Sequence, residues 1–535
     1  MKHLLFILIL LYSICASSQV PSIGLKFYDD TAYDGYTLFS PEKNNSVYLI
    51  DNCGQTINQW DFNETPGLTC YLLENGNLLR AGVDNIEIRD WNNTIIWTFN
   101  LESNGISNQH HDIEPLPNGN VLCIVSDNYT EAEMISLGKV PSSNGAIFRL
   151  DKVIELEPSG FDSANIVWEW KFIDHLIQDY DNTKPNYGIV NEHPELIDLN
   201  YIHNTTQNND YTHINSIDYN ASLDQILLSS RSLNEIYIID HSTTTSEASG
   251  HNGGNSNLGG DILWRWGNPR VYKRGTAADQ KLFAQHDAKW VDSGYLDQGK
   301  ISVFNNGGDG SLGSSSINLL VPEINNGSYT LSNTVFNPQD FDWSWSGSIL
   351  GETFYQFKKS GVQSLPNGNL LISQTSKGQF AEITKTGQLS WVYKNPTGNG
   401  TSIFNQFDQI SNSENSVFRA EKYPADYSGF IGQDLTPQTI IENNNTMSEN
   451  CIASLSTNIL NLNTLKLINP VVNNVIRFNS YVYFDKVSIV DIQGRSIKTI
   501  RNFNGSTLAI NLSPAIYFIT LENETMRLIK KIIVQ

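Results

Sequence analysis

Apolar residues in this chain come in short runs set off by Gly, Asn, Ser and Thr, and helical periodicity is scarce. The clearest repeat is Leu365-Pro366-Asn367-Gly368-Asn369-Leu370-Leu371. It recurs as Leu116-Pro117-Asn118-Gly119-Asn120-Val121-Leu122 and, worn, as Leu73-Glu74-Asn75-Gly76-Asn77-Leu78-Leu79. Asn-Gly signals a tight turn, because both residues tolerate positive φ, and each copy leads into a β-rich apolar run. A second run ending in tryptophan follows each copy: Ile95-Ile96-Trp97, Ile166-Val167-Trp168-Glu169-Trp170 and Leu389-Ser390-Trp391. Two further units keep the tryptophan end without the Asn-Gly turn, Ile262-Leu263-Trp264-Arg265-Trp266 and Trp343-Ser344-Trp345. A turn–strand–turn–strand–Trp unit repeating at roughly 40 residues or more is the signature of a propeller blade. The pattern predicts an all-β chain: a six-bladed β-propeller followed by a small C-terminal β-sandwich.

The units fall at roughly 66–100, 110–172, 211–266, 284–346 and 360–395. Residues 34–60 read as a half-blade, the strand pair Ser46–Asp51 and Thr56–Trp60 with no inner strand before it. Propellers often complete one blade from both chain ends, so the missing half is expected near Val417-Phe418-Arg419-Ala420. Long insertions at about 126–146, 174–210 and 245–260 are expected on the faces, where binding sites are built. Beyond Pro437 a polar, Asn-rich linker intervenes before about 70 residues of a separate β domain. The predicted organisation is a signal peptide over 1–18, the propeller over 19–440, a linker over 441–464 and the C-terminal domain over 465–535.

Charge narrows the partners. Lys and Arg number 34 against 56 Asp and Glu, a net charge of −22 that repels nucleic acid and anionic membranes. Met1-Lys2-His3, the apolar run Leu4–Ile14 and Cys15-Ala16-Ser17-Ser18 make a secretory signal, too short in its apolar part for a permanent anchor. No later stretch is long and apolar enough for a transmembrane segment. Cleavage near Ser18 leaves Cys53, Cys70, Cys123 and Cys451, with Cys53 and Cys70 the closest pair for a disulfide and no zinc spacing among them.

The candidate chemistry lies in histidines at equivalent places of successive units. His110-His111-Asp112, Thr212-His213-Ile214 and Gln285-His286-Asp287 each stand at the start of an inner strand, so His111, His213 and His286 are expected to converge on the central channel. One such histidine reads as a ring bonded to a turn carbonyl. Three in register among only 10 histidines point to a shared site. Asp112 and Asp287 are expected to orient ring nitrogens, and metal binding is the rival use of the imidazoles. The strand-end tryptophans read as blade packing. No Gly-x-Ser-x-Gly elbow or phosphate-cradling loop is present.

At these residues the chain resembles the bacterial aryl-sulfate sulfotransferases, six-bladed periplasmic propellers, across most of 35–437. The likeness is carried by His213-Ile214-Asn215-Ser216-Ile217-Asp218-Tyr219, Ile226-Leu227-Leu228-Ser229-Ser230-Arg231, Gln285-His286-Asp287, Val303-Phe304-Asn305-Asn306-Gly307 and Val417-Phe418-Arg419-Ala420. It implies sulfuryl transfer from an aryl sulfate to a phenolic acceptor through a histidine, with no cofactor, nucleotide or metal. By the resemblance His213 and His286 match sulfate-site histidines, while Asn306, Arg231 and Arg419 are candidate substrate contacts. The family's nucleophilic histidine is expected near the start of 360–371, where this chain has Gln363, and no arginine accompanies Asn305-Asn306-Gly307. His111 is therefore the candidate for the missing role. The alternative is a non-catalytic or metal-binding cell-surface propeller for a sugar, peptide or sulfated ligand. The C-terminal domain resembles the type IX secretion sorting domain through Ile489-Val490-Asp491-Ile492-Gln493-Gly494-Arg495, Ala515-Ile516-Tyr517-Phe518-Ile519 and Lys530-Lys531-Ile532-Ile533. That likeness implies passage through the periplasm, engagement of the type IX secretion machinery and a secreted or cell-surface location.

Overall fold

The computed structural model describes residues 21–65, 67–82, 85–141, 147–201, 210–308, 313–325, 327–332, 335–445, 467, 470–471, 474–523 and 526–534. The expected signal peptide, most of the linker, Cys15, Cys451, Asp309 and Gly310 lie outside them. Strand makes up 47% of the chain against 7% helix, so the fold is all-β.

Six antiparallel sheets of four or five strands, with four two-stranded sheets beside them, precede the C-terminal domain among the described residues. The first joins Gly35–Pro41, Ser46–Ile50 and Thr56–Asp61 to Val417–Pro424. Both chain ends therefore meet in one sheet, as the half-blade implied. The division differs, because Gly35–Pro41 is a third strand from the N-terminal side and pairs directly with Val417–Pro424. Only one strand comes from the far end. The second to fifth sheets open with Cys70–Leu72, Gln109–Pro115, Ile214–Asn220 and His286–Trp290 and close with Ile95–Asn100, Ser163–Lys171, Trp264–Trp266 and Trp343–Trp345. The sixth runs from Gly361–Ser364 to Leu389–Lys394, and Gly24–Tyr28 adds a fifth strand along its outer edge. That strand escaped the sequence pattern.

The repeated Leu-Pro-Asn-Gly-Asn segment is the hairpin between the first two strands of a sheet. In each copy the glycine N–H bonds the leucine carbonyl three residues back: Gly76 to Leu73, Gly119 to Leu116 and Gly368 to Leu365. Only the glycine takes positive φ, 83°, 91° and 87° in turn. The asparagine instead accepts, through its side chain, the N–H two residues on: Asn77 to Asn75, Asn120 to Asn118 and Asn369 to Asn367.

The recurring tryptophans are stitches between sheets. The indole N–H of Trp60, Trp97, Trp168, Trp264, Trp343 and Trp391 bonds, at 2.8–3.1 Å, an oxygen of Asp90, Ser163, Thr243, Asn337, Lys385 and Asn52, always in the sheet that follows or in its loops. The last returns to the first sheet. An inner set of bonds repeats the circuit: Ile217 N–H to Asp112, Ala288 N–H to Ser216, Val362 N–H to Asp287, Lys422 N–H to Gln363 and Leu72 N–H to the Tyr423 hydroxyl. Tyr71 OH donates to Asp112 and joins the second sheet to the third. The tryptophans thus pack the blades, as expected, and their single polar atom is satisfied in doing so.

In the C-terminal domain, Val475–Asp491, Ser496–Ala509, Ala515–Asn523 and Met526–Val534 form one hydrogen-bonded antiparallel set, its two longest strands broken by register shifts. Two separately bonded sheets, as the expected sandwich would have, are not present among the described residues. Its core, including Ile476, Phe484, Ile489, Ile519, Leu521 and Ile532, is a cluster of its own. Deleting residues 465–535 should therefore leave the unfolding midpoint of the remaining chain within a few degrees of its original value, measured by calorimetry.

The Cys53–Cys70 pair is not formed. Cys70 and Cys123 are buried free thiols, and Cys53 is disulfide-bonded.

Candidate functional site

Each predicted histidine sits where the first strand of its sheet is irregular. Register breaks fall between Cys123 and Val125 opposite the His111 strand, between Ile214 and Ser216, and between His286 and Lys289. His111 and His213 have left-handed backbone, φ 62° and 46°. Bulges and positive φ of this kind turn a side chain out of the pleat, and they are retained where the surroundings over-determine them.

The structure brings His111 and His213 together, their ring centres 4.9 Å apart. His110, adjacent to His111 in sequence, bonds it Nδ1 to Nδ1 at 2.7 Å. Its other nitrogen, Nε2, lies 2.9 Å from Asp151 Oδ1. The second oxygen of Asp151 accepts from Thr212 Oγ1 and the Ile214 N–H, both at 2.7 Å, so this carboxylate is acceptor only. The chain of bonds then reads in one direction. His110 donates from Nε2 and accepts at Nδ1, His111 donates from Nδ1, and the lone pair of His111 lies on Nε2. No hydrogen bond to that nitrogen is formed among the described residues. Burial holds the His111 imidazole well below its ordinary pKa, with repulsion from His110, His213, His286 and Arg419 adding to it.

His213 Nδ1 lies 2.5 Å from Asp210 Oδ2. Burial opposes charge on Asp210, but the bond from His213 and nearby Arg149 hold its carboxyl below the usual range. Asp151 and Asp210 are thus the acids that orient imidazoles. Asp112 and Asp287, expected in that role, hydrogen-bond no imidazole among the described residues. Both face Arg419, whose Nη1 is 2.5 Å from Asp112 and whose Nε is 3.0 Å from Asp287, while Nη2 donates to the Asn215 carbonyl. Arg419 is a buried tie between sheets; burial opposes its charge, but Asp112 and Asp287 outweigh that and keep it firmly cationic.

His286 is nearly inaccessible, 1% exposed. Its Nδ1 donates to Asn306 Oδ1 and the Ala284 carbonyl, and Nε2 accepts the Lys359 N–H at 3.1 Å. Asn306 spends its amide hydrogens on the carbonyls of Gln356 and Lys359. These two residues, expected at substrate, instead hold the 356–360 segment. Burial drives His286 well below its ordinary pKa, with Arg231, His213 and Arg419 reinforcing the shift against the Asn306 bond. The unfolded imidazole takes up a proton near pH 6.5 and the buried one does not, so protons favour unfolding below that pH. Relative to His286→Gln, the native chain should lose thermal stability progressively as pH falls from about 6.5 to 5. Above pH 7 the difference should be constant, and an equally flat difference below it would exclude a buried neutral His286.

Arg231 is different. Its backbone N–H bonds the His213 carbonyl, yet its guanidinium makes no hydrogen bond or ion pair among the described residues. Burial lowers its pKa, with Asp210 partly offsetting this. Gln363 exchanges two bonds with the Lys422 backbone, so at the place expected for a nucleophile the chain has an inter-sheet clasp.

Successive sheets stitched edge to edge, with the buried imidazoles of His111 and His286 on two of them, define a propeller-like protein. Solved structures similar to the chain include a β-propeller domain of Cps50 (Swd1) from Myceliophteria thermophila, 10% identical over 70% of this chain and 91% of that one, TM-score 0.34. A protein of unknown function from Bacteroides caccae is 11% identical over 67% and 93%, TM-score 0.36. No curated protein matches the chain. The arylsulfotransferase (ASST) family model matches residues 71–396, more than half of the sequence. The chain belongs to the arylsulfotransferase family. A secretion system C-terminal sorting domain matches residues 469–535, which implies export and a cell-surface or secreted location.

Proposed function

We propose that the protein transfers a sulfuryl group from an aryl sulfate to a phenol, with His111 as nucleophile and no nucleotide donor. The observation that carries this is the Asp151–His110–His111 chain, which leaves the His111 Nε2 lone pair, beside His213, without a hydrogen-bond partner among the described residues. His111 Nε2 attacks sulfur, and the sulfur–oxygen bond to the aryl group breaks with its electrons on the phenoxide. His213, as imidazolium on Asp210, gives that oxygen a proton from Nε2. The adduct is an N-sulfo imidazolium whose positive charge is shared through Nδ1–H with His110 and Asp151. The acceptor phenol then returns a proton to His213 and attacks sulfur, and His111 leaves unchanged. Arg231 meets the sulfuryl oxygens. His286, Asn306 and Arg419 act as positioning residues behind this site.

The test is transfer from an aryl sulfate to a phenol by the purified chain without any nucleotide. No transfer with any aryl ester would leave a binding propeller. Arg231→Gln should lower kcat/KM for the donor by about 10- to 100-fold, the range for losing a charge-assisted bond of about 1.5–3 kcal/mol. An unchanged value would remove Arg231 from the site. For the tail, deletion of 465–535 should make the folded protein accumulate in the periplasm; unchanged delivery to the surface or medium would count against type IX export.

A further inference from the structure

Away from the channel, the segment between Glu235–Asp240 and Trp264–Trp266 folds back onto the short helix Phe172–His175 that follows the third sheet. There Asp261 Oδ1 lies 2.8 Å from His175 Nδ1 and 2.8 Å from His251 Nδ1. One ligand atom from each residue falls within 4.8 Å of the others. We propose that His175, His251 and Asp261 bind a divalent transition cation of the zinc class, through the two Nδ1 atoms and the Asp261 carboxylate, with a fourth position left open.

The hydrogen-bond inventory points this way. His175 is fully buried, and its Nε2 sits 2.9 Å from the Ala248 carbonyl, which can only accept. A neutral His175 therefore carries its one hydrogen on Nε2 and turns the Nδ1 lone pair onto a carboxylate oxygen. Two lone pairs at 2.8 Å need a positive centre between or beside them. An imidazole whose remote N–H is spent on a backbone carbonyl is the arrangement that metal-ligating histidines adopt. The ring cannot swing away: it stacks on Trp170 at 5.3 Å and 8°, and the Trp170 indole donates to the Gly260 carbonyl. Gly260 is required for this closure, since a Cβ there would stand 2.0 Å from the Ala248 carbonyl oxygen and 2.7 Å from His175 Nε2.

Two imidazoles and one carboxylate are a zinc-type donor set, and three protein ligands leave one position for water or an exogenous ligand. Ligands on a tetrahedral ion with bonds of about 2.0–2.1 Å stand roughly 3.3 Å apart, so the present contacts would open by a few tenths of an ångström. His251 and Asp261 also line a groove of about 970 Å³ between the fourth and fifth sheets, which gives the open position access to solvent and solutes. His251, on the insertion, is the exposed partner in this set, its side chain 57% exposed against 0% for His175. A bound ion would join the third sheet's trailing helix to the fourth sheet's insertion.

The experiment uses the full chain, stripped with a chelator and titrated with zinc chloride, with cobalt chloride as a visible-absorbing substitute. The expected result is one ion per chain, a cobalt spectrum of tetrahedral intensity, and a higher unfolding midpoint with zinc present. His251→Ala removes an exposed side chain that folding does not need. It should weaken zinc affinity at least about 100-fold and cancel the rise in midpoint, whereas His193→Ala, in the same groove, should change neither. A stripped native chain that takes up no zinc at a hundred micromolar would overturn the proposal, as would a His251→Ala chain that binds like the native one. Either result would make the cluster an imidazolium–carboxylate ion pair.

Discussion

His111→Asn will abolish sulfuryl transfer, with a loss of about 10³-fold or more, and the chain will remain folded. Asparagine is the substitution of choice because it tolerates left-handed backbone, which His111 occupies at φ 62°. The size of the loss follows from the role. Without the attacking nitrogen, only binding and charge stabilisation remain to favour the reaction. Donor supplied without acceptor should sulfate the native chain on the peptide carrying His111, through an acid-labile bond, and leave the variant unlabelled. His110→Phe should preserve part of the labelling but slow it, because ring orientation and charge sharing are lost while the nucleophile stays. Because the buried His111 remains neutral below its ordinary pKa range, the acid limb of the native rate profile should lie below pH 6.5. Intact transfer in His111→Asn would place the nucleophile elsewhere.

Arg419→Leu will destabilise the fold by about 3–5 kcal/mol, the usual result of removing one partner from a buried ion pair. The side chains of Arg419, Asp112 and Asp287 are at most 4% exposed, so neither carboxylate can recover its hydration when the guanidinium goes. The loss should appear in urea unfolding, and Asp112→Asn together with Asp287→Asn in the Arg419→Leu background should restore part of it. A change below about 0.5 kcal/mol would mean that water reaches these carboxylates. Transfer by the surviving folded fraction of Arg419→Leu distinguishes this positioning role from direct contact, since a positioning residue alters turnover through His111 without raising the KM for donor.

The sheets were legible because their repeats are chemical. The glycine of each Leu-Pro-Asn-Gly-Asn turn needs positive φ, and each strand-end tryptophan must place its indole N–H on a neighbouring sheet, so both leave marks at regular spacing. Gly24–Tyr28 left none: it is an edge strand that borrows its pairing from Leu389–Lys394. The meeting of His111 with His213 was readable from their equivalent places in successive units. Their acids were not. Asp151 reaches His110 from a separate strand of the same sheet, and no spacing announces that pairing. Asp112 and Asp287, one residue beyond a histidine, point elsewhere because neighbouring positions in a strand face opposite ways. Asn306 and Arg419 looked like substrate contacts because polarity near a site reads the same whether it faces a ligand or the protein's own backbone.

The single strand that closes the first sheet also sets the order in which the molecule can be completed. Val417–Pro424 brings Arg419 to Asp112 and Asp287, about 300 and 130 positions earlier in the chain. During synthesis these carboxylates wait, without their counter-ion, until nearly the whole propeller has been made. A polypeptide ending before Val417 lacks both the strand that Gly35–Pro41 pairs with and the cation its centre requires. A chain stopped short of Val417 therefore keeps an unpaired strand edge at Gly35–Pro41 and two uncompensated carboxylates, whereas one that ends after Pro424 has both partners.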